Sequence, residues 1–291
     1  MKYMTFNSSC SFAGIANMLD KCGIDTNDKD IALAMKLPYL FHFADDVYMS
    51  GSMLQTAEWF DLYLNPIGYS LTEETVAKDH LVDYLLNKNV AMLGIYVDED
   101  EKHAVIYIEN NSNSITFLNN KWENDSSPEL IKLTPAELLK SVDNEVVVAT
   151  LKKIQPTTVD FSTKLTTSLE VARANLNEIL NVSKCKTTVG ELRTKLNTLF
   201  RPFFLESISM MKLIGENELC DDFSSLQREF LTAIRQDANT ILFLKDYISI
   251  EKLIISVEKY INLIENELKK CSNLLNFSSY LQLCPTRQSF L

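Results

Sequence analysis

The hydrophobic period of this chain changes once, near residue 153, and does not change back. Between residues 90 and 150 the apolar side chains fall into short runs and alternations that read as strands: 90–97, 103–109, 114–118 and 146–150. After residue 153 no strand pattern appears, and apolar residues return every three or four positions. Helices precede the strands and helices follow them, which is an α+β order rather than an alternating one. At 291 residues the chain accommodates two domains. The reading is therefore a first domain over 1–153, with N-terminal helices packed on an antiparallel sheet, and an all-α helical bundle over 154–291. Residues 152–161, which carry Pro156 and a Thr-Thr pair, form the expected linker.

In the first part, Phe12, Ile15, Ala16 and Leu19 give one apolar helical face, and Gly23 is placed to end that helix. A second helix is expected from Asn27 or Asp28 to Met35. The aromatic-rich stretch 37–50 reads as irregular or strand-like. Helices are expected over 52–63 and from Thr72 to about Leu86, separated by a turn at Asn65-Pro66. Residues 103–118 read as a hairpin, and Thr134-Pro135 as a capped helix start.

In the second part, Leu165, Leu169, Ala172, Leu176 and Leu180 mark one helix, and Val189, Leu192, Leu196 and Leu199 a second. Further helices are expected after Pro202 to Gly215 and from Asp222 to about Lys245. The last helix carries a seam of Ile254, Val257, Ile261, Ile264, Leu268, Cys271 and Leu275. A second stripe (Leu253, Tyr260, Leu263, Leu274) widens that face, which suits a bundle core better than a two-stranded coil.

Composition narrows the function. The formal charge is −11. Residues 1–153 hold 23 Asp and Glu against 12 Lys and Arg, while residues 154–291 hold 16 of each. Polyanions are repelled by such a first half, so nucleic acid is a poor partner and a cationic or neutral one fits better; a solvated acidic surface is the plainer account of the same charge. No apolar run approaches the roughly 20 residues of a membrane span. The first residues lack the apolar stretch of a secretory signal, so a cytoplasmic, bacterial protein is expected. The cysteines (10, 22, 185, 220, 271, 284) show no CxxC spacing, and the histidines (42, 80, 103) no ligand pairing. Neither a disulfide framework nor a metal is expected. With no Walker loop, GxGxxG or GxSxG, no cofactor is expected either.

Cys10 opens the first helix, where the dipole and free amides favour a thiolate and can hold an oxyanion. His103 opens a strand, and Asn119 ends the next strand of the same hairpin, so the two are expected to meet. A cysteine, a base and a group that orients the base are the parts of nucleophilic thiol catalysis. Each has a plain structural reading: a buried small hydrophobe, a packed histidine, a turn asparagine. His42 and His80 read as packed and surface residues. Trp59, Phe60, Tyr63, Phe203-Phe204 and Met210-Met211 read as core.

The run Asn-Ser-Ser-Cys10-Ser-Phe-Ala-Gly-Ile-Ala-Asn-Met-Leu, then His103-Ala-Val-Ile-Tyr-Ile, then Phe-Leu-Asn119-Asn120, resembles the papain-like thiol superfamily. It looks closest to the bacteriocin-processing peptidase-like domains and the N-terminal domain of butirosin-type acyltransferases. The resemblance covers about residues 5–151. It implies Cys10 as nucleophile, His103 as base and Asn119 as its orienting partner. Those peptidases carry a glutamine before the cysteine; here position 4 is Met, and Asn7 is the substitute oxyanion candidate. They also favour Asp-Pro where this chain has Asn119-Asn120.

Two functions follow. One is acyl transfer through a Cys10 thioester, to an amine or to water, from a peptide, amide or acyl-thioester substrate that a carrier protein can present. The other is a catalytically idle papain-like scaffold used for protein binding or regulation. Neither reading fixes an oligomeric state.

Overall fold

A computed structural model describes residues 1–96, 102–111 and 113–282, with backbone alone over 272–282. Val97, the acidic run 98–101, Ser112, Cys284 and the side chains of Leu274 and Leu275 lie outside the described residues.

In the first helix, α1 (Cys10–Lys21), the apolar face is buried as its spacing requires. Gly23, at φ +81°, stops it: the Gly23 and Ile24 N–H groups fold back on the carbonyls of Asp20 and Leu19, each at 3.0 Å. In α2 (Asp28–Ala34) the Asn27 side chain caps the Asp30 N–H at 2.9 Å. β1 (Phe41–Ala44) and β2 (Val47–Ser50) form a hairpin whose two turn residues, Asp45 and Asp46, have φ of +51° and +59°. That is the geometry of the tight turn that matches strand twist. α3 (Ala57–Leu64) follows, starting later than the expected 52.

The sequence pattern predicts a helix from Thr72; the structure has a strand, β3 (Tyr69–Ala77), there, and a short α4 (Leu81–Leu86) only after it. A nine-position ladder, from Tyr69↔Lys153 to Ala77↔Glu145, overrides the local capping signal. β4 (Ala91–Tyr96), β5 (Lys102–Asn111) and β6 (Ser114–Asn119) come next. β7 (Leu130–Leu133), which the pattern did not announce, precedes α5 (Pro135–Lys140) and β8 (Glu145–Lys153). Thr134 and Glu137 complete a reciprocal capping box on α5.

The remaining elements are α6 (Phe161–Lys184), β9 (Lys186–Thr188), α7 (Val189–Thr194), α8 (Ser207–Ile214), α9 (Asn217–Ile234), β10 (Ile241–Phe243) and α10 (Ile250–Gln282). Two five-residue π-helical turns, Leu196–Phe200 and Pro202–Glu206, join α7 to α8. Among the described residues no helix is long and apolar enough to cross a membrane.

The chain divides into two compact units, and the division is not a single cut at 153. One unit is Met1–Leu37 with Leu54–Val159; the other is Pro38–Met53 with Asp160–Leu291. The first unit is built on a six-stranded antiparallel sheet in the order β3-β8-β4-β5-β6-β7. One face carries Leu93, Ile95, Val105, Tyr107 and Phe117, packed in a core with Leu81 and Leu85 of α4 and Leu138 of α5. The other face receives α1 at Gly14. A Cβ there would sit 2.5 Å from Met92 Sδ, 2.9 Å from Asn120 Nδ2 and 3.3 Å from Ile106 Cδ1, so the close approach requires glycine.

The second unit is helical, with α10 packed on α6 and α9. It also holds two short antiparallel pairs, β1–β2 and β9–β10, so it is not purely α as expected. The hairpin 38–53 joins it for reasons of packing. The Phe41 ring lies 5.5 Å from Phe203 and 5.4 Å from Tyr260. The Tyr260 hydroxyl donates to Pro38 O at 2.6 Å, and the Phe41 N–H donates to Ser168 Oγ at 2.9 Å. Buried Glu206 accepts from the Ser52 N–H (3.1 Å), the Ser52 hydroxyl (2.7 Å) and Arg201 Nε (2.8 Å). Phe203, Phe204, Met210 and Met211 are fully buried, the core role their pattern suggests.

Candidate functional site

Cys10 is half-buried at the start of α1. The loop before it is held from behind by Asp28, the first residue of α2, which is fully buried. Its carboxylate accepts from the Thr5 N–H (2.6 Å), the Thr5 hydroxyl (2.7 Å), the Ser9 hydroxyl (2.7 Å) and the Lys29 N–H (2.8 Å). Ser9 thus spends its hydroxyl on Asp28 and leaves α1 without a side-chain cap. Ser8 takes φ +57°, a left-handed conformation rarely adopted by non-glycine residues, to turn the chain into the helix. Asn7 is exposed in that turn.

Farther along α1, Asn17 is buried and ties the helix to the end of β6. Its Nδ2 donates to Asn120 Oδ1 at 3.0 Å and to Lys2 O at 2.9 Å, while its Oδ1 accepts the Lys2 N–H at 2.7 Å. Asn120, fully buried, donates in turn to Ala104 O at 2.9 Å. The part of α1 that meets the strand ends is therefore Asn17. Cys10 lies seven residues before it, about 10 Å along the helix axis.

Strand register assigns the faces. His103 pairs with Ile95, and Asn119 pairs with Val105. Directly paired residues project from the same face of an antiparallel sheet. His103 and Asn119 thus share the face of Ile95 and Val105, whereas α1 lies on the face of Met92, Ile106 and Asn120. The geometry brings His103 and Asn119 together and leaves Cys10 out. Among the described residues no hydrogen bond joins Cys10 to either of them. His42 lies on β1 of the other unit, and His80 is exposed.

His103 and Asn119 line a cavity of about 350 Å³, together with Met4, Asn120, Lys121, Trp122, Asp125 and Ser127. The N-terminal segment closes one side: the Met4 N–H donates to Lys121 O at 2.9 Å, and Met4 bridges Trp122 in parallel. Lys121 is buried, and its ammonium donates to the carbonyls of Asp125 (2.6 Å) and Ser127 (2.7 Å). The Asp125 carboxyl is held below the usual carboxylate range, first by the Ser127 N–H and then, against an opposing effect of burial, by the Ser127 hydroxyl, Lys121 and His103. Asn119 is 6% exposed. Its Nδ2 donates to Pro128 O at 3.0 Å and Ser127 Oγ at 3.3 Å, while its Oδ1 is buried with no partner. An unpaired buried acceptor costs about 1–3 kcal/mol.

Sequence reasoning missed Asp28, Asn17, Trp122 and Asp125. A polar Asn17 beside the apolar face of α1 was the one available signal. Trp122 and Asp125 sit in a polar loop whose pattern carries no position.

These elements define an α+β chain: helices on an antiparallel sheet, with a helical C-terminal region. No model of a known protein family matches it, and no curated protein does. Among solved structures it is similar to the peptidase domain of Streptococcus ComA, a bifunctional ABC transporter involved in a quorum-sensing pathway. That similarity has a TM-score of 0.37 at 12% identity, covering 53% of this chain and 97% of that one.

Proposed function

We propose that the first unit is a papain-like scaffold that works by binding, in the cavity at His103 and Asn119, rather than by forming a thioester on Cys10. The observation that carries this reading is the division of the three residues between two faces of the sheet. Among the described residues no hydrogen bond pairs the Cys10 thiol with His103, and a thiol without a base is a weak nucleophile at neutral pH. The acidic balance of the first half favours a cationic or neutral partner.

The test is acylation of the full chain. A simple thioester, S-acetyl-N-acetylcysteamine, is supplied in excess, and acetylation at each cysteine is read by peptide mass spectrometry. Exposed Cys22 serves as the internal standard. Binding function predicts no more acetyl on Cys10 than on Cys22. Enrichment on Cys10 that disappears in His103→Ala would overturn it.

One observation favours acyl transfer as a second reading: Cys10 is a half-exposed thiol at the first residue of a 12-residue helix, whose dipole supports a thiolate. In that reading His103 takes the thiol proton, Asn119 orients the imidazole and Asn7 supplies an oxyanion donor. An amide, peptide or carrier-borne acyl thioester gives up its acyl group to Cys10, and an amine or water then takes it. This chemistry requires Cys10 and His103 to share a face.

A further inference from the structure

We propose that the cavity beside Trp122 binds a primary ammonium group, carried by a free small amine or by a lysine side chain. The inference deepens the binding reading above by naming the chemistry that the cavity selects.

Four features converge on that class of ligand. First, Asn119 presents a buried acceptor with no donor. Its orientation is not ambiguous: the other end of the amide donates to Pro128 O, which only accepts. What the site lacks is an N–H. Second, Asp125 is exposed and kept ionised, so a full negative charge faces the same space. Third, Trp122 is 41% exposed and lines the cavity, offering an aromatic face to a cation. Fourth, 23 acidic residues against 12 basic ones in residues 1–153 draw cations toward this unit.

The lysine in the lining does not reverse this. Lys121 turns its ammonium onto the backbone carbonyls of Asp125 and Ser127, which hold it at the wall of the site. An anionic ligand would meet the Asp125 carboxylate. The volume of about 350 Å³ falls within the range of small-molecule sites, about 300–1,000 Å³.

The experiment titrates the full-length Cys10→Ser chain, observed through the Trp122 indole N–H resonance, which Trp122→Phe assigns by its loss. The probes are n-pentylamine for a free amine and Nα-acetyl-lysine N-methylamide for a peptide-borne one. Pentanol and Nα-acetyl-norleucine N-methylamide are the uncharged controls. A saturable shift is expected with one or both amines, about fivefold or more weaker in Asp125→Asn and with either neutral control. The tighter of the two amines identifies the source. Asp125 is exposed, so its substitution is expected to cost the fold little, which the Trp59 indole resonance checks in the same spectra. No saturable shift with either amine, equal binding of a neutral control, or an affinity indifferent to Asp125→Asn would overturn the proposal. Because the chain lacks the Cys10 thiol throughout, this outcome is independent of whether Cys10 can be acylated.

Discussion

The two faces of the six-stranded sheet carry two polar assemblies that differ in completeness. On the α1 side the groups that anchor the helix and the loop before it are matched, although the buried Thr116 hydroxyl is not. Asp28 takes four hydrogen bonds, and Asn17 and Asn120 link α1 to the chain terminus and to β5. On the other side Asn119 keeps an acceptor without a donor, Asp125 is exposed and Trp122 is part-exposed beside a cavity. A completed buried network holds structure, whereas an incomplete one next to open space is where a ligand gains free energy. The residues that the sequence suggests as one catalytic triad are therefore divided between the two faces of the sheet.

Removing Asp28 should break the comparison most severely. Asp28→Ala strips the partner from two backbone N–H groups and two hydroxyls around a fully buried site, and is expected to cost about 3 kcal/mol or more. Both tryptophans, Trp59 and Trp122, belong to the sheet unit, so urea unfolding followed by tryptophan fluorescence reports on that unit alone. A loss below about 1 kcal/mol would show that the network is not structural.

A smaller effect sharpens the placement of α1. Gly14→Ala puts a Cβ against Met92, Asn120 and Ile106, and overpacking of this kind costs about 1–3 kcal/mol. If the same unfolding measurement shows no loss, the helix does not sit on that face.

The smallest effect belongs to Asp125. Its carboxyl is held low in the folded chain, so its interactions stabilise the fold above the unfolded value of about 3.9. That contribution fades as pH falls from there through the lower folded value. Asp125→Asn should therefore be slightly less stable than wild type at pH 7, with the gap closing in acid. A gap that widens as pH falls would reverse the assigned sign.

Much of the fold was legible where local chemistry decides it. The apolar face and Gly23 mark α1, the alternation over 103–118 marks the hairpin, and Thr134-Pro135 marks a capped helix. What escaped was set by partners distant in sequence. Thr72 and Thr75 read locally as a helix start, yet β8 draws them into a strand. The aromatics of 38–53 fill the core of the helical unit, which no local pattern announces.

The site divided in the same way. The nearness of His103 and Asn119 follows from a hairpin register that a sequence can suggest. The face on which α1 packs depends on Gly14, Asn17 and Asn120, which meet only in the folded chain.

The separation of Cys10 from His103 is tested most directly by the rate of Cys10 alkylation with iodoacetamide from pH 5 to 9. The rate is resolved by mass spectrometry in wild type and His103→Ala. The structure predicts superimposable profiles, because the imidazole lies on the opposite face of the sheet. A wild-type rate at pH 6 that falls about tenfold or more in His103→Ala would mean a thiolate–imidazolium pair, and would contradict the account.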